Sequence, residues 1–362
     1  MNTKMDFIDL KTQYQLIKEK IHQRMFNVLE HGQYIMGEEI FELEKKLADY
    51  VGVKHCVSVS SGTDALYMVL LALGIKPGDE VIIPTFTFFA TGEVVKLLGA
   101  KPVFVDSDET CNIDPLKIEE KITSKTKAIM PVSLYGQCAD FTKINEIAKK
   151  YNLPVIEDAC QSFGGTHFGK KSCNLSTIGS TSFFPSKPLG CYGDGGAIFL
   201  NDDKLEEKMK QIRIHGQHGR YNHVTLGING RLDTLQAAIL LAKLEIFEEE
   251  IKRRQEIAAR YINGLKDLVQ FPTIKKENTS VYAQFTILVE NRNEFQKRLD
   301  EKGIPTAIHY PTPLHKIKAL DYPIEDYPIA DSYSQKVLSL PMHPYLNEKD
   351  QDKIIKTIKD SL

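Results

Sequence analysis

The chain contains no tryptophan and only six cysteines in 362 residues, and none of these cysteines form a CxxC pair. Scattered cysteines argue against a zinc site and against a secreted disulfide framework, so we expect free thiols in a cytoplasmic protein. An excess of charge of one sign is also missing, because 46 basic and 48 acidic residues give a net charge of -2. Nucleic acids and anionic membrane surfaces favour a strong basic excess, so neither is an expected partner.

Long hydrophobic runs are absent as well. No segment reaches the roughly 18 apolar residues of a membrane span, and the N-terminal twenty residues lack the apolar stretch of a signal peptide. What the chain does have is an ordinary globular composition, with 42% hydrophobic and 26% charged residues. Such a chain can bury a sizeable core, and its length fits one large α/β domain with a smaller partner or two domains of ordinary size.

The first 200 residues alternate between two kinds of pattern. From about residue 36, segments with helical apolar spacing are separated by short β-rich runs that Pro, Gly or Asp residues bound. This alternation indicates βαβ units and a mostly parallel sheet. The predicted helices are 38–50, 62–73 and 141–151, and the predicted strands are 81–83, 103–105, 128–132, 155–156, 180–184 and 197–200.

The pattern changes after residue 200, where helical segments dominate and a Pro/Tyr-rich stretch follows at 305–328. We therefore divide the chain into a large domain, 1–245, and a smaller α+β domain, 246–362. The sequence predicts helices over 204–214 and 293–302, a helical region from 231 to about 265 that is broken once, and a strand over 281–290.

A turn of small residues, Ser61-Gly62-Thr63, joins a predicted strand (56–59) to a predicted helix. Unpaired N–H groups and the dipole at a helix N-terminus form a natural cradle for a phosphate. The alternative is ordinary helix capping, which uses the same residue types.

An acidic residue, Asp158, follows the buried run 155–156. Open α/β sheets bind their ligands at the carboxyl ends of strands, and a carboxylate there can pair with a protonated pyridine nitrogen. The alternative is that Asp158 only caps the next helix.

Lys187 stands between Pro185 and Pro188, and the glycine-dense loop 190–196 follows. Prolines fix the backbone around the lysine, and glycines let the backbone approach a ligand closely. A lysine held in this way is poorly explained as a solvated surface charge and is a candidate nucleophile.

Taken in order, these three features resemble the DegT/DnrJ/EryC1/StrS family of sugar aminotransferases. The resemblance implies an α/β, aspartate-aminotransferase-like (type I pyridoxal-phosphate) fold with a mostly parallel mixed sheet, and pyridoxal 5'-phosphate (PLP) as the cofactor. It covers nearly the whole chain through the segments 7–10, 61–63, 84–88, 157–161, 184–187, 229–233 and 309–311.

The resemblance also implies roles around the cofactor. Lys187 would hold the cofactor covalently and shuttle the proton, Asp158 would pair with the ring nitrogen, and Gln161 would bind the ring's phenolic oxygen. Phe88 would stack on the ring, its alternative being a core aromatic residue at the start of a helix. Four residues would hold the phosphate, namely Gly62, Thr63, Ser182 and, from a second subunit, Asn229.

The nucleotide-sugar pocket would be lined by Arg231, His309 and Tyr310, partly across the interface of a homodimer with shared sites. Arg231 could instead cap its helix or pair along it. The loop histidines 215, 218 and 223 lack the spacing of a zinc pair, so we expect no metal site.

The implied reaction moves an amino group from L-glutamate, released as 2-oxoglutarate, to a UDP-linked keto sugar. The segment 183–196 is similar to enzymes that aminate carbon 3 of UDP-linked 2-acetamido sugars. A 3-keto UDP-N-acetylglucosamine, giving a 2,3-diamino sugar for lipid A or surface polysaccharide, is the first expectation. Alternatives are the 3-keto uronic acid, a 4-keto-6-deoxy sugar and, in another class, a non-catalytic regulator. A related dehydratase branch carries histidine at the lysine position, and Lys187 speaks against that branch.

Overall fold

Buried, β-branched runs form the centre of the molecule, whose computed structural model describes residues 5–323 and 325–362. The strands of the first 200 residues are short, and most of their residues are buried. They are β1 (His55–Val59), β2 (Glu80–Pro84), β3 (Lys101–Val105), β4 (Thr126–Ile129), β5 (Ile156–Asp158), β6 (Thr166–His167), β7 (Lys170–Lys171), β8 (Ile178–Ser182) and β9 (Gly196–Leu200).

Seven of these strands pair into one central sheet in the order β3-β2-β4-β5-β8-β9-β1. Parallel bridges from Ile129 to Val155 and from Val132 to Asp158 join its two halves. Within this sheet β9 runs antiparallel to both of its neighbours, whereas the other pairs are parallel. The predicted mostly parallel, mixed sheet is thereby confirmed.

Helices cover both faces of the sheet, because alternate strand residues point to opposite sides. The helices of this part are α1 (Leu10–His31), α2 (Glu38–Val51), α3 (Gly62–Ala72), α4 (Ala90–Leu97), α5 (Phe141–Tyr151), α6 (Asp203–Ile212) and α7 (Thr234–Leu244). Val57 and Ile198 pack in one core with α3, α4 and α6, whereas Cys56 and Phe199 pack in another with α2 and α7.

A smaller antiparallel pair of strands organises the C-terminal part, where Phe285 pairs with Leu340. The elements here are α8 (Phe247–Leu265), β10 (Asn278–Thr279), β11 (Phe285–Leu288), α9 (Arg292–Glu301), α10 (Pro328–Lys336), β12 (Val337–Leu340) and α11 (Glu348–Lys359). The first turns of α8 pack in the large core through Phe247 and Ile251, and its last turns in the C-terminal core through Tyr261 and Leu265. The division at 245/246 stays a prediction, and α8 is the element that connects the two cores.

Two predicted strands are longer than the observed ones, for identifiable reasons. The regular part of the run 128–132 ends at Ile129, because Pro131 has no N–H for a ladder hydrogen bond. The run 281–290 contains a strand only over β11, since Tyr282 adopts a left-handed conformation with φ 46°. The expected break in 231–265 is confirmed between α7 and α8. No helix in the described part of the chain is long and apolar enough to cross a membrane.

Candidate active site

A cavity of about 380 Å³ opens where β5 and β8 end and α3 begins. Its position at the carboxyl ends of parallel strands is the usual ligand site of an open α/β sheet. The fold therefore brings together predicted site residues that are up to 248 positions apart in the chain, from Gly62 to Tyr310 (310 − 62). Those that line the cavity are Gly62, Thr63, Phe88, Asp158, Gln161, Ser182, Lys187, His309 and Tyr310.

The floor of the cavity at the start of α3 requires a glycine. A Cβ on Gly62 would lie 2.7 Å from the Cβ of Ser182 and 2.9 Å from the Sγ of Cys160. The first intrahelical hydrogen bond of α3 runs from the Ala65 N–H to the Ser61 carbonyl (3.0 Å), so the N–H groups of Gly62 and Thr63 precede it. This close backbone approach at a helix N-terminus fits a phosphate group.

Asp158 ends β5 with its side chain buried at the cavity wall. Its Oδ2 accepts a hydrogen bond from the Thr91 hydroxyl (3.1 Å) and its Oδ1 from the Cys160 N–H (3.2 Å). The chain after Asp158 continues into turns rather than an α-helix, so the capping alternative is wrong. A carboxylate oriented from two sides is suited to pair with a pyridinium nitrogen.

Glu157, the neighbour of Asp158, points away from the cavity into the core. It accepts hydrogen bonds from the Ser172 hydroxyl (2.7 Å) and the Cys173 N–H (2.9 Å). Burial raises the pKa of Glu157 to about 7, with Asp158 adding to the increase and the hydrogen bonds opposing it. The side chains of the two adjacent acidic residues thus lie on different sides of the strand.

Gln161 and Tyr310 meet across the cavity. The Gln161 Nε2 donates to the Tyr310 hydroxyl (3.0 Å), and the ring of Tyr310 lies 5.9 Å from that of Phe88. Phe88 is 54% exposed, so the alternative of a core aromatic residue is wrong. An exposed ring beside a cavity can stack on a planar ligand.

Lys187 is half-buried in a loop that folds back on itself. Its N–H donates to the Phe184 carbonyl (2.8 Å) and the Cys191 N–H donates to the Phe183 carbonyl (2.8 Å). A Cβ on Gly190 would lie 2.6 Å from the Pro185 carbonyl oxygen, so the loop depends on that glycine. The Pro and Gly residues around Lys187 thus fix its position.

His309 lines the cavity next to Tyr310 and is oriented by other side chains. Its Nδ1 lies 2.9 Å from the Ser339 hydroxyl, and its ring stacks on Phe7 at 6.3 Å. Burial, and to a lesser extent the charge of Lys187, lowers the pKa of His309 to about 4. His309 is therefore a neutral hydrogen-bonding group near pH 7.

Asn229 and Arg231 do not line this cavity. Asn229 is exposed, and the Nε of Arg231 is buried without a hydrogen-bond partner in the described part of the chain. Their predicted role in the cavity of a second subunit stays a prediction. His309 and Tyr310, by contrast, line the cavity of their own chain.

Sequence reasoning missed several side chains that line the cavity. Ser61, Ser186 and Asp194 lie inside segments that the motifs already marked, so their positions could have been inferred. Gln284, which precedes β11, has no such signal, because only the tertiary fold brings it there. The further lining residues are Leu66, Thr87, Ala90, Val132, Cys160 and Phe184. Among the described residues, no cluster of three or more His, Cys, Asp or Glu side chains could hold a metal ion.

The geometry fits PLP, since it combines a phosphate cradle, a buried carboxylate and a positioned lysine. Residues 15–359 match the family model described as the DegT/DnrJ/EryC1/StrS aminotransferase family. The UDP-2-acetamido-2-deoxy-3-oxo-D-glucuronate aminotransferase of Pseudomonas aeruginosa is 59% identical over 345 residues, 95% of this chain and 96% of the relative.

A second relative is the UDP-N-acetyl-3-dehydro-alpha-D-glucosamine 3-aminotransferase of Acidithiobacillus ferrooxidans. It is 40% identical over 364 residues, 100% of this chain and 99% of the relative. Among solved structures, Streptomyces venezuelae DesV in complex with a ketimine intermediate superposes with a TM-score of 0.97 at 37% identity, over 99% of this chain and 98% of that one.

Fold and site together define a PLP-dependent enzyme of the aspartate-aminotransferase fold. More narrowly, the chain belongs to the DegT/DnrJ/EryC1/StrS aminotransferase family. It is a nucleotide-sugar aminotransferase, and the alternative of a non-catalytic regulator is set aside.

Proposed function

We propose that this enzyme transfers the amino group of L-glutamate to carbon 3 of a UDP-linked 2-acetamido-3-keto sugar. The observation that carries the proposal is the meeting of Lys187, Asp158 and the Gly62 cradle in one cavity. This set of residues suits PLP chemistry, in which one lysine can serve both the glutamate and the sugar half-reaction. The product would be a 2,3-diamino sugar for lipid A or surface polysaccharide, made in the cytoplasm.

The proposed mechanism assigns a role to each residue around the cofactor. PLP supplies an electron sink for the carbon that carries the amino group. The Asp158 carboxylate would keep the ring nitrogen protonated, and Gly62, Thr63 and Ser182 would hold the phosphate. The Lys187 amine would hold the cofactor and would also carry the proton to and from the substrate carbon that bears the amino group.

The sugar side of the cavity offers neutral hydrogen-bonding groups. Burial is the main reason that the pKa of Tyr310 is raised, and Asp158 adds to it, so the Tyr310 hydroxyl stays protonated. His309 is neutral for the reason given above. A cation for a sugar carboxylate or for the diphosphate would have to come from elsewhere, and Arg231 of a second copy is the proposed source.

Similarity favours one substrate over the other. The expectation from the sequence put the 3-keto UDP-N-acetylglucosamine first and the 3-keto uronic acid second. The relative named for the 3-oxo-glucuronate is 59% identical, and the relative named for 3-dehydro-glucosamine is 40% identical. We therefore propose the UDP-linked 3-keto uronic acid as the preferred substrate and the 3-keto N-acetylglucosamine as the second candidate.

A homodimer is part of the proposal. Large apolar side chains on and near α1 and α2 are exposed, among them Leu16, Phe26 and Phe41. Tyr221 and Leu226, in the loop that precedes Asn229, are exposed as well. Exposed large apolar side chains are expected at an interface, and in this proposal a second copy of the chain buries them.

The reverse reaction tests the substrate. The enzyme is incubated with 2-oxoglutarate and a panel of UDP-linked amino sugars, and glutamate formation is measured. We expect the 3-amino uronic acid to react with a higher kcat/KM than 3-amino N-acetylglucosamine. Reaction with only 4-amino-6-deoxy sugars would refute the assignment to carbon 3.

Lys187→Ala tests the catalytic assignment. The variant should lose turnover and the visible absorbance of the lysine-linked cofactor, whereas Lys170→Ala, at an exposed position of β7, should keep both. Lys187→Ala protein that still turns over would disprove the role of this lysine.

Mixing of inactive variants tests the shared site. Lys187→Ala and Arg231→Ala proteins are inactive or weak alone, but a mixed dimer contains one site with both native residues. If dimers exchange at random, about a quarter of the wild-type activity should return. Activity that stays at the sum of the two separate variants would contradict a shared site.

A further inference from the structure

Tyr135 adopts a backbone conformation that tyrosine rarely takes. It lies in the turn after β4, is 6% exposed, and has φ 59° and ψ 0°. Left-handed conformations of non-glycine residues persist only where the surroundings impose them, and they concentrate at functional sites. Contacts from neighbouring residues must therefore stabilise the turn at Tyr135.

Neighbouring residues fix the turn firmly. The Asn112 Oδ1 accepts the Leu134 N–H (2.8 Å), and the Asn112 Nδ2 donates to the Gln137 carbonyl (3.3 Å). On the other side the Val281 N–H donates to the Gly136 carbonyl (3.0 Å). A single buried amide and one backbone contact thus hold both ends of the turn.

The two hydrogen-bond donors of Tyr135 reach two different segments that line the cavity. Its N–H donates to the Gln161 Oε1 (3.0 Å), and its hydroxyl donates to the His309 carbonyl. Because the oxygen of the Gln161 amide is occupied, its Nε2 faces Tyr310, to which it donates at 3.0 Å. The contacts close a ring from Tyr135 through Gln161 and Tyr310 back to Tyr135 by way of His309.

We propose that Tyr135 is a positioning residue that holds the substrate-facing segment His309–Tyr310 in fixed register with the cofactor-facing Gln161. It lies outside the set of side chains that line the cavity, so it acts through its neighbours. The inference rests on the proposed assignment of the cavity, in which Gln161 binds the cofactor ring and His309 and Tyr310 bind the sugar.

Chemistry supports a donor role for the hydroxyl. Burial is the main reason that the pKa of Tyr135 lies well above its ordinary value, so the phenol keeps its proton. A protonated hydroxyl can donate to a carbonyl, which cannot donate in return. Phenylalanine at this position would keep the ring and the backbone N–H but lose the link to His309.

The test compares two matched substitutions. Tyr135→Phe removes the hydroxyl that bonds the His309 carbonyl, and Tyr261→Phe removes a buried hydroxyl that bonds the Pro341 carbonyl (3.0 Å) in the C-terminal core. Loss of one hydrogen bond of this kind corresponds to a change of about two- to tenfold. We expect Tyr135→Phe to raise the KM for the amino sugar by about fivefold, with cofactor affinity and the pH titration of the cofactor absorbance unchanged.

Two further readouts separate positioning from a general structural role. In the Tyr310→Phe background the effect of Tyr135→Phe should fall below about twofold, because both act through the same segment. In the cofactor-loaded protein, hydrogen exchange of residues 305–311 should be faster in Tyr135→Phe and unchanged in Tyr261→Phe. The exchange measurement needs no turnover, so it remains informative if the substrate proposal fails.

Different results would contradict the inference about Tyr135 and the proposed function. Unchanged KM and unchanged exchange in Tyr135→Phe would overturn the inference, as would equal effects in Tyr261→Phe or full additivity with Tyr310→Phe. A wild-type enzyme that accepts none of the UDP-linked amino sugars would overturn the proposed function instead.

Discussion

Gly62 and Ser182 approach each other so closely that a Cβ on the glycine would lie 2.7 Å from the Cβ of the serine. Gly62→Ala must therefore push α3 away from the end of β8. We expect cofactor affinity to fall by about tenfold or more and stability by about 1–3 kcal/mol, because overpacking forces backbone shifts. Cofactor titration monitored by absorbance measures the first effect.

Gly264→Ala is the control for this change. It adds the same methyl group inside α8, where the nearest atoms are side-chain atoms of Ile355, with Cδ1 at 2.9 Å and Cγ2 at 3.0 Å. Cofactor affinity should be unchanged there. Equal losses in both variants would show that the Gly62 effect is unrelated to the phosphate cradle.

Asp158 and Thr91 should contribute to catalysis unequally. Asp158→Asn removes the charge that pairs with the ring nitrogen, and we expect turnover to fall by about a hundredfold or more. Thr91→Val removes only the hydrogen bond to the Asp158 Oδ2 (3.1 Å), and a loss of about two- to tenfold is expected. Single-turnover rates with glutamate measure both, and a Thr91 effect as large as that of Asp158 would contradict this order.

His309 links stability to pH. The pKa of His309 is lowered to about 4, mainly by burial, so the unfolded chain binds a proton in the window between about 6.5 and 4 that the folded chain does not. Stability must therefore fall as the pH drops through this window, and the loss from pH 7 to pH 5 is about 2 kcal/mol for this group.

Urea unfolding at pH 7 and pH 5 checks this linkage. His309→Asn should lose less stability on acidification than the wild type, by about the same 2 kcal/mol. His343, whose pKa burial also lowers to about 4, contributes in the same direction and remains in the variant. His218→Asn, at an exposed histidine, is the control. If it changed the loss of stability on acidification as much as His309→Asn does, the assignment to His309 would be refuted.

A buried ion pair holds α2 to the chain after α6. The Arg213 Nη1 lies 2.5 Å from the Glu44 Oε1, and the same oxygen accepts the Ser58 N–H (2.8 Å). Glu44→Gln leaves the Arg213 charge buried without its partner, so we expect a loss of about 3 kcal/mol in unfolding free energy. Glu42→Gln, which weakens the more exposed pairs of Glu42 with Arg24 and Lys46, should cost less than about 1 kcal/mol. Comparable losses in the two variants would contradict the importance of burial.

The sequence was sufficient for the sheet and for the parts of the site that lie in local motifs. Lys187, Asp158 and Gly62 each lie at or soon after the end of a strand, so the rule on strand ends places them on one edge without tertiary information. Gln284 and Tyr135 could not be found in this way. Gln284 is brought to the cavity only by packing of the C-terminal part, and Tyr135 takes a conformation against the preference of its residue type.

Predictions from local propensity were also wrong about the ends of strands at positions where a single residue determines the end. Pro131 interrupts the ladder along the apolar run 128–132, which resumes only as the bridge from Val132 to Asp158, and Tyr282 interrupts the run 281–290 with a positive φ. In both cases backbone geometry determines where the strand ends. Such ends depend on backbone hydrogen bonding, which periodicity does not describe.

Helix α8 has a consequence for any attempt to separate the two halves of the chain. A fragment ending at residue 245 would leave an apolar hollow where Phe247 and Ile251 are seated, and the complementary fragment would carry those two side chains into water. The halves are therefore expected to melt together in one calorimetric transition, and a protease cut near residue 246 should release neither half intact.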